Sequence, residues 1–383
     1  MTLIRKLSVA LATVLMVACA SEPTSREPAA LTDFQAEKKL HKAWSYSIGD
    51  GQGEAYHRIA PVIDGDDIFI ASSDGKIAAL DKRNGDKRWK KSLDLRISGG
   101  VGVYGTFLFV GTSDGEVVAL DRLTGDVIWR AEVNGEVLSA PQSNGDVVIA
   151  QTYSGEVHAF TFADGKPMWS YASQVPRLTL RGTSTPRIIS DMVMIGFANG
   201  RVAAFDLENG AMRWEQRISV PQGSTEIERL VDVDGRLLVM EDGQTVVATG
   251  YQGQVMGVDI NSGRGLWVKD TSSYVGAITA LGNVYIVGSD GSISALDGNG
   301  QDARWTQTVL ARRELTEPVA FSGAIGVGDF EGYLHMLAQV DGHLMARTRV
   351  DRDGLRAPMI ADGELLYVYG NSGKLAAYKL QDL

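Results

Sequence analysis

The sequence predicts an all-β fold: an eight-bladed β-propeller with four-stranded blades, its ring closed by pairing the N- and C-terminal strands. Three observations support this fold class. A turn glycine followed fourteen residues later by tryptophan recurs along the chain, and short apolar, β-branched runs alternate with Asp-Gly and Asn-Gly turns. No segment of the repeat region shows a sustained 3.6-residue apolar period, so helices are not expected there.

The repeat has the length of one four-stranded blade, since its turn glycines lie 38 to 53 residues apart. These glycines are Gly75, Gly115, Gly155, Gly200, Gly253, Gly291, Gly332 and Gly373. The tryptophan positions hold Trp44, Trp89, Trp129, Trp169, Trp214, Trp267 and Trp305, and Ala346 takes the remaining one. Trp44 precedes the first glycine, and the chain stops ten residues after the last one, so the two ends are expected to complete one blade together.

The recurring tryptophans are expected to be structural. A large flat ring at one place in each blade can pack against the neighbouring blade and bury about 200 Å². At about 25 cal/mol per Å², such burial contributes several kcal/mol to each contact between blades.

Composition and charge exclude several classes of protein. The chain has 383 residues, 44% hydrophobic and 22% charged, which is typical of a folded protein. A single cysteine excludes a disulfide scaffold and a multi-cysteine metal site within one chain. The formal charge of −10 has the wrong sign for a nucleic-acid binder, so no nucleic-acid partner is expected. No catalytic or metal-ligating set is found in the sequence, and none is assigned.

The N-terminus has the pattern of a secretory signal peptide. Arg5 and Lys6 precede an apolar run at residues 7–17, which is too short to span a bilayer. Val17, Ala18 and Cys19 follow and resemble a bacterial lipobox, although the usual leucine three places before the cysteine is Met16. This resemblance implies a signal peptide at 1–18 and lipidation at Cys19, as in palmitate-bearing lipoproteins. An ordinary signal peptide with an incidental cysteine is the alternative.

Three segments are predicted along the chain. Residues 1–18 are the signal peptide, residues 19–42 a flexible tether to the lipid, and residues 43–383 the propeller. The residue after the lipidated cysteine is Ala20 rather than aspartate, and in bacterial lipoproteins this implies the outer membrane. The folded body is then expected at the periplasmic face of that membrane, beside it rather than within it.

The repeat of glycine, strand, Ala-Leu-Asp and tryptophan resembles the tryptophan-docking repeat of pyrroloquinoline quinone (PQQ) dehydrogenases over residues 44–383. Together with the lipobox and tether, it is similar to the BamB family of the bacterial β-barrel assembly machinery (BAM complex). This resemblance implies a non-enzymatic scaffold without a cofactor that docks the POTRA domains of BamA and supports the insertion of outer-membrane proteins. A periplasmic PQQ- and calcium-dependent oxidoreductase is the alternative, although this chain lacks the adjacent-cysteine disulfide that those enzymes usually carry.

Two connections between a tryptophan and the next turn glycine are longer than the others, at 31 residues after Trp169 and 39 after Trp214. Long connections in a repeat protein commonly carry the function. The resemblance assigns partner binding to Leu178, Leu180 and Arg181 in the first, and to Asp232 and Asp234 in the second.

Three other interpretations of these features stay open. The leucines could be the buried face of one strand, with Arg181 paired to an aspartate for loop structure. The propeller could dock a different partner in the cell envelope. Exposed blade edges could also hold unfolded outer-membrane protein clients by β-augmentation.

Overall fold

The computed structural model describes residues 27–383, which form 32 β-strands and, in this range, no helix. The strands make eight four-stranded antiparallel sheets arranged as the blades of a propeller. Seven blades use four consecutive strands, and the first strands of several consecutive blades neighbour each other around the ring centre. The predicted eight-bladed β-propeller is confirmed.

The first half of the ring contains blades 1 to 4. Blade 1 consists of β2 (Val62–Asp64), β3 (Asp67–Ala71), β4 (Lys76–Asp81) and β5 (Lys87–Ser92), and blade 2 of β6 (Ile97–Tyr104), β7 (Phe107–Thr112), β8 (Glu116–Asp121) and β9 (Val127–Glu132). Blade 3 consists of β10 (Gln142–Ser143), β11 (Val147–Gln151), β12 (Glu156–Thr161) and β13 (Pro167–Ala172), and blade 4 of β14 (Arg187–Ile189), β15 (Met192–Phe197), β16 (Arg201–Asp206) and β17 (Met212–Arg217).

The second half contains blades 5 to 8, the last of which takes its outer strand from the other end of the chain. Blade 5 consists of β18 (Leu238–Val239), β19 (Thr245–Thr249), β20 (Val255–Asp259) and β21 (Gly265–Lys269), and blade 6 of β22 (Ile278–Ala280), β23 (Asn283–Val287), β24 (Ile293–Leu296) and β25 (Ala303–Gln307). Blade 7 consists of β26 (Val319–Phe321), β27 (Ala324–Gly328), β28 (Tyr333–Ala338) and β29 (Leu344–Arg349), and blade 8 of β30 (Ile360–Asp362), β31 (Leu365–Tyr369) and β32 (Lys374–Asp382) with β1 (Lys38–Ser47).

The hydrophobic core lies between the blades. The second and third strands of each blade are almost fully buried, while the outer strands alternate buried and exposed residues. One cluster joins Ile68 and Ile70 of blade 1 to Tyr367 and Leu375 of blade 8. A strand has two faces, so an inner strand is buried on both faces only where a neighbouring blade packs on each side of its sheet.

Each tryptophan of the repeat packs against a glycine in the turn between the third and outer strands of the next blade, which is a different glycine from those that define the repeat. A Cβ added to Gly263 would lie 2.6 Å from the Trp214 ring, and Gly165 and Trp129 are related in the same way. The indole of Trp214 also donates a hydrogen bond to the Ile260 carbonyl at 2.8 Å. The close approach explains glycine at these positions, because any Cβ would collide with the ring.

Ala346 breaks this pattern because blade 8 is built differently. There, β32 ends near the C-terminus and pairs with β1, so no glycine turn connects the third and outer strands. Leu40 and Tyr378 of blade 8 pack instead in the cluster that contains Ala346. The small alanine leaves space for this longer pair of strands.

The predicted boundary between tether and propeller at residue 43 is wrong, since β1 begins at Lys38. Residues 38–42 extend the pairing with β32, in which Leu40 faces Leu380. The preceding segment also packs on the ring: the Ala29 N–H donates to the Ala311 carbonyl at 2.9 Å, and Phe34 lies under the Arg347 guanidinium. The predicted signal peptide and Cys19 lie outside the described residues.

Candidate functional site

Both long connections emerge on one side of the ring. The strands of each blade are antiparallel, so every connection to the next blade leaves from the same end as the turn between the second and third strands. We call this side the loop face, and we call residues 173–186 loop 1 and residues 218–237 loop 2. Loop 1 joins β13 to β14, and loop 2 joins β17 to β18 in the adjacent blade.

Loop 1 presents one leucine and partly covers the other. Leu178 is 39% exposed, whereas Leu180 is half-buried. Between them, the Thr179 hydroxyl donates a hydrogen bond to the Tyr153 hydroxyl at 2.9 Å. The loop is therefore held on the ring while Leu178 stays accessible to a partner.

Arg181 is fixed by an acidic residue from another blade. Its Nη2 donates to both carboxylate oxygens of Glu136, at 2.7 and 2.8 Å, and its guanidinium lies over the Tyr153 ring. His57 Nε2 is 3.6 Å from the same carboxylate, and burial lowers the pKa of this histidine, so that its ring is neutral near pH 7. The ion pair with Glu136 thus fixes the Arg181 side chain, which remains 37% exposed.

The two aspartates of loop 2 are buried rather than exposed, with 1% exposure for Asp232 and 6% for Asp234. Asp232 accepts hydrogen bonds from the backbone N–H of Leu180 at 3.2 Å and of Val233 at 3.0 Å. Asp232 therefore connects loop 2 to loop 1. Both carboxyl groups lie beneath the surface of the loop face rather than on it.

The two carboxyl groups influence each other's ionisation. Burial and the neighbouring Asp234 raise the pKa of Asp232 well above its ordinary value, and burial raises the pKa of Asp234 to about 6. Two adjacent buried carboxyls resist carrying two charges, so the pair retains a proton at higher pH than exposed aspartates do.

The tip of loop 2 is a hydrogen-bonded turn. The Glu228 carboxylate accepts the backbone N–H groups of Ser224 and Thr225 at 2.8 and 3.0 Å, and the Glu228 N–H donates to the Thr225 hydroxyl. These bonds satisfy the free amides as in a helix capping box. The turn leaves Ile227 69% exposed on the loop face.

The structure brings together most of the predicted site residues and adds others that the sequence analysis did not identify. Loops 1 and 2 meet through Asp232, and Leu178 and Ile227 supply exposed apolar side chains. Glu136 and Tyr153, which hold Arg181, were not anticipated. Both lie in connections and turns of ordinary length in the repeat, so nothing in the sequence distinguishes them.

The loop face also contains the mouth of the central channel, where the alternative quinoprotein site would lie. No group of three or more histidine, cysteine, aspartate or glutamate side chains able to hold a metal occurs in residues 27–383. Of the channel carboxylates, Glu317 is paired with Arg236 at 3.0 Å. These residues do not form the oxygen-rich ligand set that calcium requires, and no reaction is assigned to the channel.

Fold and site define a propeller of the PQQ-like repeat class with a built surface on one face. The sequence profile of the family described as outer membrane protein assembly factor BamB matches residues 30–96 and 74–307. The chain is 48% identical over 373 residues to that factor from Pseudomonas aeruginosa, covering 97% of this chain and 98% of the relative. It is 42% identical to the factor from Marinobacter adhaerens, covering 95% and 93%. The chain therefore belongs to the BamB family.

Solved structures agree with this assignment. The crystal structure of BamB from Moraxella catarrhalis matches with a TM-score of 0.81 and 28% identity, covering 89% of this chain and 100% of that one. A europium-containing methanol dehydrogenase matches with a TM-score of 0.73 at 13% identity, covering 89% and 93%. The second likeness shows a shared fold alone.

In residues 27–383, no helix is long and apolar enough to cross a membrane.

Proposed function

We propose that this protein is a non-enzymatic scaffold subunit of the outer-membrane β-barrel assembly machinery, which docks the POTRA domains of BamA through loops 1 and 2. Membership of a family named for outer-membrane protein assembly is the observation that carries the proposal. In this role the protein supports the delivery and insertion of β-barrel proteins from the periplasmic side of the outer membrane.

The geometry of the loop face supports a docking role. An exposed Leu178 stands beside an arginine whose direction is set by Glu136, and both loops are anchored to buried parts of the ring. Protein interfaces commonly combine a small apolar centre with arginine and a polar surround. Because the loops are already held in place, little conformational entropy is lost when a partner binds.

We further propose that Cys19 carries the lipid after removal of residues 1–18. The residues between Cys19 and Ala29 would then join the lipid to the ring. Residues 29–37 pack along blades 6 and 7, through the Arg313 bond to the Ala29 carbonyl at 2.9 Å and the Arg347 bond to the Thr32 carbonyl at 3.0 Å. The anchor would therefore leave the ring at a defined position.

Replacing Leu178 and Arg181 by alanine tests the docking surface. Copurification of BamA with the double variant Leu178→Ala/Arg181→Ala is expected to fall at least about tenfold, because an apolar and a charged anchor are both removed. The measurement is the amount of BamA retained per folded protein, together with the affinity for isolated POTRA domains.

Leu123→Ala is the matched control, since Leu123 is 74% exposed in a turn on the opposite side of the ring from loops 1 and 2. It is expected to leave BamA binding unchanged. Thermal melts of both variants establish that the ring is folded. Undiminished binding by a folded double variant would overturn the proposed surface.

A further inference from the structure

The mouth of the central channel contains a cavity of about 320 Å³, which loops 1 and 2 border through Arg181 and Asp234. It is lined by connections from blades far apart in the chain, among them residues 56–63, 138–140 and 356–360. A cavity of this volume is at the lower end of the range that proteins use to enclose small organic ligands.

Polar atoms without partners face this cavity. Ser139 and Asp234 line it, each only 6% exposed, and neither Ser139 Oγ nor Asp234 Oδ2 has a hydrogen-bond partner among the described residues. Thr183 Oγ1, also in the lining, is buried and unpartnered in the same way. Buried polar groups are nearly always paired, so several unpaired ones around one cavity indicate a site for a polar group from outside.

The lining is also cationic. Four arginines reach the cavity, and two of them are neutralised: Arg181 by Glu136 and Arg236 by Glu317. Arg58 and Arg356 make no ion pair within the described part of the chain. Their guanidinium groups both lie over the Tyr56 ring, with centres 5.7 and 4.0 Å from its centroid. Both guanidinium groups contact one ring without a carboxylate partner, so together they offer positive charge to an anion.

Part of the cavity lining is apolar. Leu138, Val275 and Met359 line it, and each is less than 10% exposed. A ligand that fits must therefore combine an anionic end with an apolar body, because a small inorganic anion would leave these side chains uncovered.

We propose that this cavity binds a small organic carboxylate, with its carboxylate between Arg58 and Arg356 and its apolar body against Leu138, Val275 and Met359. Ser139 and Thr183 donate hydrogen bonds to further polar atoms of the ligand. The facing Asp234 carboxyl is partly compensated by Arg58. Arg58 and Arg356, which hold the carboxylate, are outside loops 1 and 2. The proposal of a ligand site can therefore be overturned while the docking proposal stands, and the docking proposal can be overturned while the ligand site stands.

Calorimetric titration of the purified full-length protein in detergent, with a micelle blank, tests this site. The probes are hexanoate, 4-phenylbutyrate and the neutral 4-phenylbutanamide. We expect 4-phenylbutyrate to bind, and the amide at least tenfold more weakly, since it cannot form charge-assisted hydrogen bonds with two arginines. The double variant Arg58→Gln/Arg356→Gln is expected to lose at least tenfold in affinity for 4-phenylbutyrate.

Arg304→Gln is the matched control, because Arg304 is an exposed arginine at the start of β25, away from the cavity. Its affinity for 4-phenylbutyrate is expected to stay within twofold of the unchanged protein. If the double variant does not fold, the comparison of acid with amide on the unchanged protein still decides. Three outcomes would each overturn the proposal. The first is that neither acid binds at millimolar concentration, as in a cavity that holds only water. The others are that the amide binds as tightly as 4-phenylbutyrate, or that the folded double variant keeps its affinity.

Discussion

Trp214 and Gly263 show how a single pair of residues joins two blades. The indole stacks on the glycine and donates to the Ile260 carbonyl at 2.8 Å, while Gly263 adopts a φ of +71°. Two independent constraints therefore require glycine here: a left-handed backbone and a space filled by the ring. The same pairing recurs around the ring, for example between Trp129 and Gly165 and between Trp305 and Gly342.

Gly263→Ala is expected to lower the free energy of unfolding by about 2 to 4 kcal/mol, as left-handed strain adds to the collision with Trp214. Gly243→Ala separates the two causes. Gly243 has a φ of +64°, but a Cβ there would meet nothing within 4 Å. It is expected to cost only about 1 to 2 kcal/mol. Denaturant unfolding measures both, and equal losses would contradict the packing role of the tryptophan.

The buried Asp234 makes stability depend on pH. Its folded pKa of about 6 lies above the value of an exposed aspartate, so the carboxyl destabilises the fold at pH 8, and this penalty disappears as the pH falls through 6 towards 4. Asp234→Asn is therefore expected to stabilise the protein by about 1 to 3 kcal/mol at pH 8 and by much less at pH 4.5.

Thermal melts of Asp234→Asn and the unchanged protein across this pH range provide the measurement. Asp242→Asn is the comparison, because hydrogen bonds from the Gln244 and Thr245 backbone lower the pKa of that aspartate. Its replacement should cost stability at pH 8 rather than add it. A gain for Asp234→Asn that is the same at every pH would show that the buried charge is not its source.

Loops 1 and 2 act as one element because Asp232 accepts the Leu180 N–H at 3.2 Å. Asp232→Ala removes this acceptor, and the Leu180 amide is expected to exchange its hydrogen at least about tenfold faster, as local opening becomes easier. Hydrogen exchange read by mass spectrometry over residues 176–182 measures this change. Asp242→Ala, which alters a turn after β18, should leave that segment unaffected, and protection retained in Asp232→Ala would contradict the link between the loops.

The sequence located these loops but not their internal roles. Their positions follow from the long spacings after Trp169 and Trp214, which stand out against a regular repeat. The burial of Asp232 and Asp234, and the selection of Glu136 as partner of Arg181, depend on how separate blades fold against one another. Nothing in the local pattern distinguishes a buried aspartate from an exposed one.

The whole molecule depends on closure by the two chain ends. β1 pairs with β32 from Lys38 opposite Asp382 to Ser47 opposite Lys374, which completes blade 8 and leaves no gap between blades 8 and 1. A propeller with an open blade would expose both strand edges and apolar faces to water. Closure is thus the step at which eight similar units become one cooperative structure.

Deleting residues 374–383 removes β32 and the buried side chains of Leu375 and Tyr378. The loss is expected to exceed about 5 kcal/mol, comparable to the stability of a typical domain, so the truncated chain should show no cooperative melt. Deleting only residues 381–383 keeps the pairing from Leu40 to Ser47 and should melt within a few degrees of the full chain. Calorimetry distinguishes these outcomes, and a sharp, unshifted transition in the longer deletion would contradict closure as a requirement.

The sequence by itself determined the number of blades, the position of each turn and the sharing of one blade between the two ends. These properties follow from a repeat whose turn glycines and apolar alternation have a local physical cause, and whose tryptophans recur at one fixed place in each unit. Only the tertiary structure decided where β1 begins, why Ala346 replaces a tryptophan, which loop residues are exposed, and that Arg58 and Arg356 meet at the channel mouth. These features arise between blades, where residues distant in the chain become neighbours.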